Sequence, residues 1–249
     1  MAEALIRDAA QEFWIAAKQS NKPFPRDLEG AIAWVLPVAL LKVPHLWVRH
    51  VQAALAQRQL PFPSDLEDRP LHGCVCAYSE KGLIIVDGAD PADELRFTIA
   101  HELAHFLFDY RQPRAQAIEK FGSSIALVLD GLREPTAGQR VDSILSNTSI
   151  GLYAHFMHRH DDGAPTGVTL ASETQADAFA LELLAPEVSV REKLPRDFTK
   201  RPFEKKVTGL TRLLRKRFDL PKDVAAQYGS RLCRRWFGGR TVREWLGFT

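Results

Sequence analysis

The chain of 249 residues has little that would cross-link it or hold it in a bilayer. It contains three cysteines. Three thiols cannot build a disulfide scaffold. Cys74 and Cys76 are spaced C-x-C rather than C-x-x-C, and Cys233 stands far away. The expectation is a reducing compartment with buried thiols. No uninterrupted run of about 20 apolar residues is available to span a membrane. The most apolar stretch, AIAWVLPVALLKVPHLWV over 31–48, is broken by Pro37, Lys42, Pro44 and His45. It reads as a buried helical hairpin. The opening MAEALIRDAAQEFW lacks the basic start and apolar run of a secretory signal, so a cytoplasmic location is expected. Repeats of 20–50 residues and low-complexity tracts are absent as well.

What is present is the composition of an ordinary globular protein, long enough for one large domain or two small ones. The net charge of +2 hides an asymmetry. Residues 191–249 carry 17 Lys and Arg against 6 Asp and Glu, a net of +11, and the rest carries −9. Such a region reads first as a solvated basic helical face and second as a nucleic-acid surface. The core expected inside it is Leu210, Leu213, Leu214, Phe218, Trp236 and Phe237, with a break at Asp219-Leu220-Pro221.

Residues 1–20 read as an amphipathic helix and 22–70 as a Pro-punctuated helical region ending in PFPSDLEDRP. CVCAY and GLIIVDG, with SEKG between them, read as two strands joined by a turn. Asp90-Pro91 then reads as a cap and first helical residue. The helix DELRFTIAHELAHFLFDY carries Leu95, Ile99, Leu103, Phe106 and Tyr110 as one apolar stripe. Residues 111–170 are less regular, with helical segments and the polar loop HRHDDGAPTG; the histidines of YAHFMHRH read most plainly as exposed on such a loop. SETQADAFALELLAP is a second clear helix, with Ser172 and Gln175 spaced as a capping box and Pro186 at its end. The expected organisation is an N-terminal helical region over 1–70, a core over 71–190 with an insertion at about 111–170, and a basic helical region over 191–249.

Within the first helix, His101 and His105 stand at i and i+4, about 6 Å apart on one side. That spacing suits two nitrogens on one tetrahedral Zn²⁺, one ion per chain. Glu102 follows the first histidine, where a base could take a proton from water in the cleft. The extended pattern H-E-x-x-H-x-x-G-x-x-H fails, because Phe108 and Arg111 occupy its last two defined positions. Glu173 on the second helix is the favoured third ligand. Asp177, one turn on, could accept the free ring N–H of a ligand histidine. His155, His158 and His160 compete as ligands. His155, His158 or Tyr153 could instead stabilise the oxyanion formed on a scissile carbonyl.

RFTIAHELAH followed by ETQADAFALELLAP resembles the ImmA/IrrE family of metallo-endopeptidases, over about residues 71–187. The resemblance implies an α+β fold that is mostly helical. A small β-sheet would pack against the H-E-x-x-H helix of a gluzincin-like core. It implies that His101, His105 and Glu173 ligate zinc and that Glu102 is the general base. It implies a bacterial cytoplasmic peptidase of narrow specificity, acting on repressors of the helix-turn-helix type in transcription regulation and stress response. Two departures stand out: a gap of 68 residues between His105 and Glu173, and Ala185 where a methionine is common before Pro186. The alternatives kept in view are a catalytically silent metal-binding module and a DNA-binding regulator using the basic C-terminal region.

Overall fold

The computed structural model describes residues 2–62, 66–145, 148–159 and 167–238. His160, the rest of the polar loop to residue 166, Gly239 and residues 63–65 of the turn-rich stretch lie outside them. In chain order the elements are α1 (Ala2–Ala16), α2 (Leu28–Val35), β1 (Val38–Val43), α3 (Val48–Ala56), β2 (Leu71–Tyr78) and β3 (Lys81–Asp87). Then come α4 (Ala92–His105), a π-helical turn (Phe106–Arg111), α5 (Gln112–Phe121), α6 (Ala126–Leu129), α7 (Ala137–Leu145) and β4 (Tyr153–His158). The chain continues through α8 (Gly167–Leu184), α9 (Glu187–Glu192), α10 (Phe203–Phe218) and α11 (Lys222–Phe237). The fold is α+β and mostly helical. No helix among the described residues is long and apolar enough to cross a membrane. Two compact units are present: residues 28–177, and residues 1–27 with 178–249.

The first unit is built on one mixed sheet in the order β1-β3-β2-β4. β2 and β3 form the expected antiparallel hairpin. Ser79 and Glu80, its two turn residues, both have positive φ, as a two-residue turn with the twist of the strands requires. Cys74, Cys76, Leu83 and Ile85 join Leu46, Val51 and Leu55 in a core on the α3 side. Side chains alternate along a strand, so Val75 and Ile84 face α4 on the other side. Burial on both faces explains the continuous apolar runs that made these two strands readable.

Two close approaches seat the helix. A side chain at Gly73 would meet Thr98 Cγ2 at 2.5 Å, and one at Gly82 would meet the Phe106 ring at 2.9 Å. These two glycines let α4 and the turn after it lie directly on the sheet.

Several expectations are corrected. The apolar segment 31–48 is not a helical hairpin. α2 stops before Pro37, whose missing N–H ends the helix, and Val38–Val43 pairs in parallel with β3 as an edge strand. YAHFMH is not a loop but β4, antiparallel to β2, with Ala154 and Phe156 packed on the α3-side core. Asp90 does not cap α4. Pro91 is the residue before the first turn, no side chain caps it, and the Asp90 carboxylate is taken by Arg159 and His72 at 2.5 and 2.9 Å. Ser172 is not a cap either, because α8 begins at Gly167.

The second unit is helical. Trp14 Nε1 donates to Leu183 O at 2.9 Å, and Tyr228 OH to Ala185 O at 3.2 Å. Asp219 takes the left-handed conformation, with φ of 56°, between α10 and α11, at the expected break. Leu210, Leu214 and Phe218 are buried as expected; Leu213, Trp236 and Phe237 are only partly covered. At Gly229 a side chain would meet Thr211 N at 3.2 Å, so the two helices pack closely. Arg212, Arg215, Lys216, Arg217, Arg231 and Arg234 are exposed.

Candidate metal centre

Three elements of the sheet-bearing unit meet at one point. α4 brings His101, Glu102 and His105, β4 brings His155, and α8 brings Glu173 and Asp177. Asp93 and Glu94 stand in the first turn of α4, where carboxylates favour the positive end of the helix dipole. Donor atoms of His101, His105, His155 and Glu173 all lie within 4.8 Å of one another.

The inner geometry is a triangle. His101 Nε2 and His105 Nε2 are 3.1 Å apart. Glu173 Oε2 lies 3.2 Å from His101 Nε2, and Glu173 Oε1 lies 3.6 Å from His105 Nε2. Two ligands on one tetrahedral zinc, each at about 2.0–2.1 Å, are separated by about 3.3–3.4 Å. The three edges bracket that value. The outer nitrogens of both rings are held by carboxylates: His101 Nδ1 by Asp177 at 3.0 Å and His105 Nδ1 by Asp109 at 2.6 Å. A neutral ring that donates from Nδ1 presents a lone pair at Nε2. Two such lone pairs converging at 3.1 Å repel unless a proton or a metal lies between them. The residues present therefore fit a divalent cation, with nitrogen and oxygen donors of the kind zinc accepts.

The electrostatics point the same way. Burial disfavours charge on His101, yet its hydrogen bonds to the Asp177 and Glu173 carboxylates and the charge of Glu102 outweigh it and raise its pKa to about 9. Burial likewise opposes charge on His155, but Glu102 and Glu173 on either side of its ring raise it to about 10. Glu173 is partly buried, which would raise it, but His101 and His155 hold it well below the ordinary carboxylate range. Four carboxylates thus surround three imidazoles, and in the absence of metal His101 and His155 hold protons where a cation would otherwise sit.

Glu102 is fully buried. Its Oε2 pairs with His155 Nδ1 at 3.1 Å. Its Oε1 has no hydrogen-bond partner among the described residues. A buried acceptor left unpaired costs about 1–3 kcal/mol, so it calls for an explanation.

Of the remaining sequence candidates, His155 joins the cluster directly, with Nε2 2.8 Å from Glu173 Oε1. Its ring stacks on that of His105 at 3.6 Å and 23°. Tyr153 is turned to Asp109, with its hydroxyl 3.4 Å from Oδ2; burial and then the Asp109 charge push the phenol up. His158 alternates with His155 along β4, lies on the other face, and is not in the converging group. Sequence reasoning passed over Asp109, although it lies four residues after His105 on the same continuous helical path. It also passed over Ser172 as a donor; its Oγ gives a 2.6 Å hydrogen bond to Asp109.

Residues 62–128 match the family model described as the IrrE N-terminal-like domain, a peptidase family. The matched segment carries β2, β3, α4 and Asp109, and it ends before β4 and α8. His155, Glu173 and Asp177 lie outside the matched segment, and the structure brings them to the site. No curated protein matches the chain.

Proposed function

We propose that this chain, which belongs through its IrrE N-terminal-like segment to the ImmA/IrrE family of metallopeptidases, is a zinc-dependent endopeptidase of narrow specificity. The observation that carries this reading is the triangle of His101 Nε2, His105 Nε2 and Glu173, with edges of 3.1, 3.2 and 3.6 Å. His101, His105 and Glu173 would hold one zinc ion. Bound there, zinc supplies Lewis acidity toward the attacking water and the scissile carbonyl.

The protein's own groups do the rest. Glu102 Oε1 takes a proton from the attacking water; its freedom from other partners is what that role requires. Glu102 Oε2 is steadied by His155, so the carboxyl cannot swing away. The same carboxyl then passes the proton to the departing amine nitrogen. His155, on the open side between Glu102 and Glu173, is placed better than Tyr153 or His158 to donate to the oxyanion. Asp177 and Asp109 fix the tautomers of the two ligand rings. The substrate class, a regulatory protein of the helix-turn-helix repressor type, and the cytoplasmic setting rest on the family resemblance. Three cysteines without disulfides agree with that setting.

Glu102→Gln keeps the shape and the hydrogen bond to His155 but cannot accept the proton. Incubation with repressors encoded beside this gene should show zinc bound as in wild type and cleavage reduced by about 10²–10⁴-fold. Cleavage at the wild-type rate would overturn the mechanism.

A second reading rests on the four donors within 4.8 Å: His155 closes the shell as a fourth ligand and the site is structural. The stacked rings speak against it. Nearly parallel planes about 3.6 Å apart cannot both contain one metal along their lone-pair axes. His155→Ala separates the two. A retained zinc with slowed cleavage supports the open site, and lost zinc supports the closed one.

A further inference from the structure

The geometry points to Asp109 as the main positioning residue of the centre, acting through His105, with Ser172 as its buttress. This rests on the reading of His105 as a zinc ligand. Asp109 lies in the π-helical turn that begins at Phe106, directly after the ligand helix. Turns of this kind recur at functional sites. Its neighbour Tyr110 is buried, with its hydroxyl accepting Glu80 N at 2.9 Å from the β2–β3 turn. The wide turn keeps Tyr110 pinned there while Asp109 faces back to His105.

The two ligand histidines are held unequally. Asp177 meets His101 Nδ1 at 3.0 Å and leaves 56% of its side chain exposed. Asp109 meets His105 Nδ1 at 2.6 Å and leaves 17% exposed. Asp109 Oδ2 also accepts a hydrogen bond from Ser172 Oγ at 2.6 Å, and Tyr153 OH lies 3.4 Å away. A hydrogen bond is stronger where water is excluded, and a carboxylate already fixed by a second donor loses less freedom in making it. Ser172 and Glu173 are adjacent on α8. One helix turn therefore delivers the third ligand and braces the anchor of the second.

The experiment uses the full chain and Zn²⁺ alone, with two readouts. The first is zinc affinity by chelator competition. Asp109→Ala should weaken binding by about 10–100-fold, and by more than Asp177→Ala does. Asp109→Asn keeps an acceptor of the same shape and should recover part of the loss. Ser172→Ala should weaken binding by less than Asp109→Ala. The second readout is the ¹⁵N signature of the His105 ring in metal-free protein. Wild type should carry its proton at Nδ1, and Asp109→Ala should shift toward a mixed tautomer. Wild-type affinity in Asp109→Ala, or a loss no larger than in Asp177→Ala, would overturn the inference. If Asp109→Ala fails to fold, Asp109→Asn and Ser172→Ala decide it: wild-type affinity in both overturns it. A wild type that binds no zinc but shows the Nδ1 proton tied to Asp109 would sink the zinc reading and keep the anchor. Zinc bound with the His105 proton at Nε2 in the metal-free form would do the reverse.

Discussion

The two units handle polar groups in opposite ways. Among the described residues, Asp87, Thr98, His101, Glu102, His105, Arg114 and Thr148 are buried polar side chains within residues 28–177, whereas the helical unit buries only Gln19. The helical unit keeps its charge outside, 21 basic and 12 acidic residues for a net of +9, against −7 for the sheet-bearing unit. Burying an ionisable group is costly unless it is paired. The helical unit avoids that cost, as a stably packed bundle should. The sheet-bearing unit accepts it most densely where α4, β4 and α8 meet, and elsewhere in the pairs Asp87–Arg159 and Arg114–Asp130. The clustering of buried polar groups, rather than their presence alone, marks the site.

Three changes probe that contrast. In the helical unit, Phe218→Ala removes a ring that is 1% exposed and packs on Phe24 at 5.2 Å. It should cost about 3–5 kcal/mol in urea unfolding and leave the zinc content of folded molecules unchanged. A loss below 1 kcal/mol would show that this core carries less than its burial indicates. In the sheet-bearing unit, Glu102→Met removes the unpaired Oε1 but also the carboxylate partner of His155. Leaving that buried ring without its partner should cost the metal-free protein about 1–3 kcal/mol while cleavage disappears. A stabilised variant would mean that the Glu102–His155 pair contributes nothing in the metal-free protein.

The third change is pH. In the metal-free protein, His101 at about 9 and His155 at about 10 lie above the unfolded histidine value of about 6.5. Their contribution to stability is complete below that unfolded value and is lost as pH rises through 9 and 10. The melting temperature should therefore fall between pH 6.5 and 10. Zinc affinity should rise over the same interval, because fewer protons compete. A melting temperature flat across that range would contradict the charged state of the rings.

Much of the site could be read from local spacing. His101, Glu102 and His105 follow from five letters on one helix, and the pairing of Glu173 with Asp177 follows from one turn of another. β2 and β3 announced themselves because both their faces are buried. β1 and β4 did not, because each is an edge strand whose partner is distant in sequence. His155 pairs opposite Val75, and nothing near YAHFMH reveals that. Its alternation of core-facing Ala154 and Phe156 with site-facing Tyr153 and His155 was hidden by polar composition. The capping role expected of Ser172 had the right chemistry in the wrong place. A short hydroxyl that would cap a helix serves here, inside the helix, as a donor to Asp109. Asp109 was within reach of the same i, i+4 spacing that identified the histidines.

Whether His101, His105 and Glu173 form one metal site is decided by the zinc content of the full chain after reconstitution with Zn²⁺ and removal of unbound metal. One zinc per wild-type chain is expected, and none in His101→Ala with the fold retained. A wild type that holds no zinc, or a His101→Ala variant that still holds one, would show that these three residues are not the metal site.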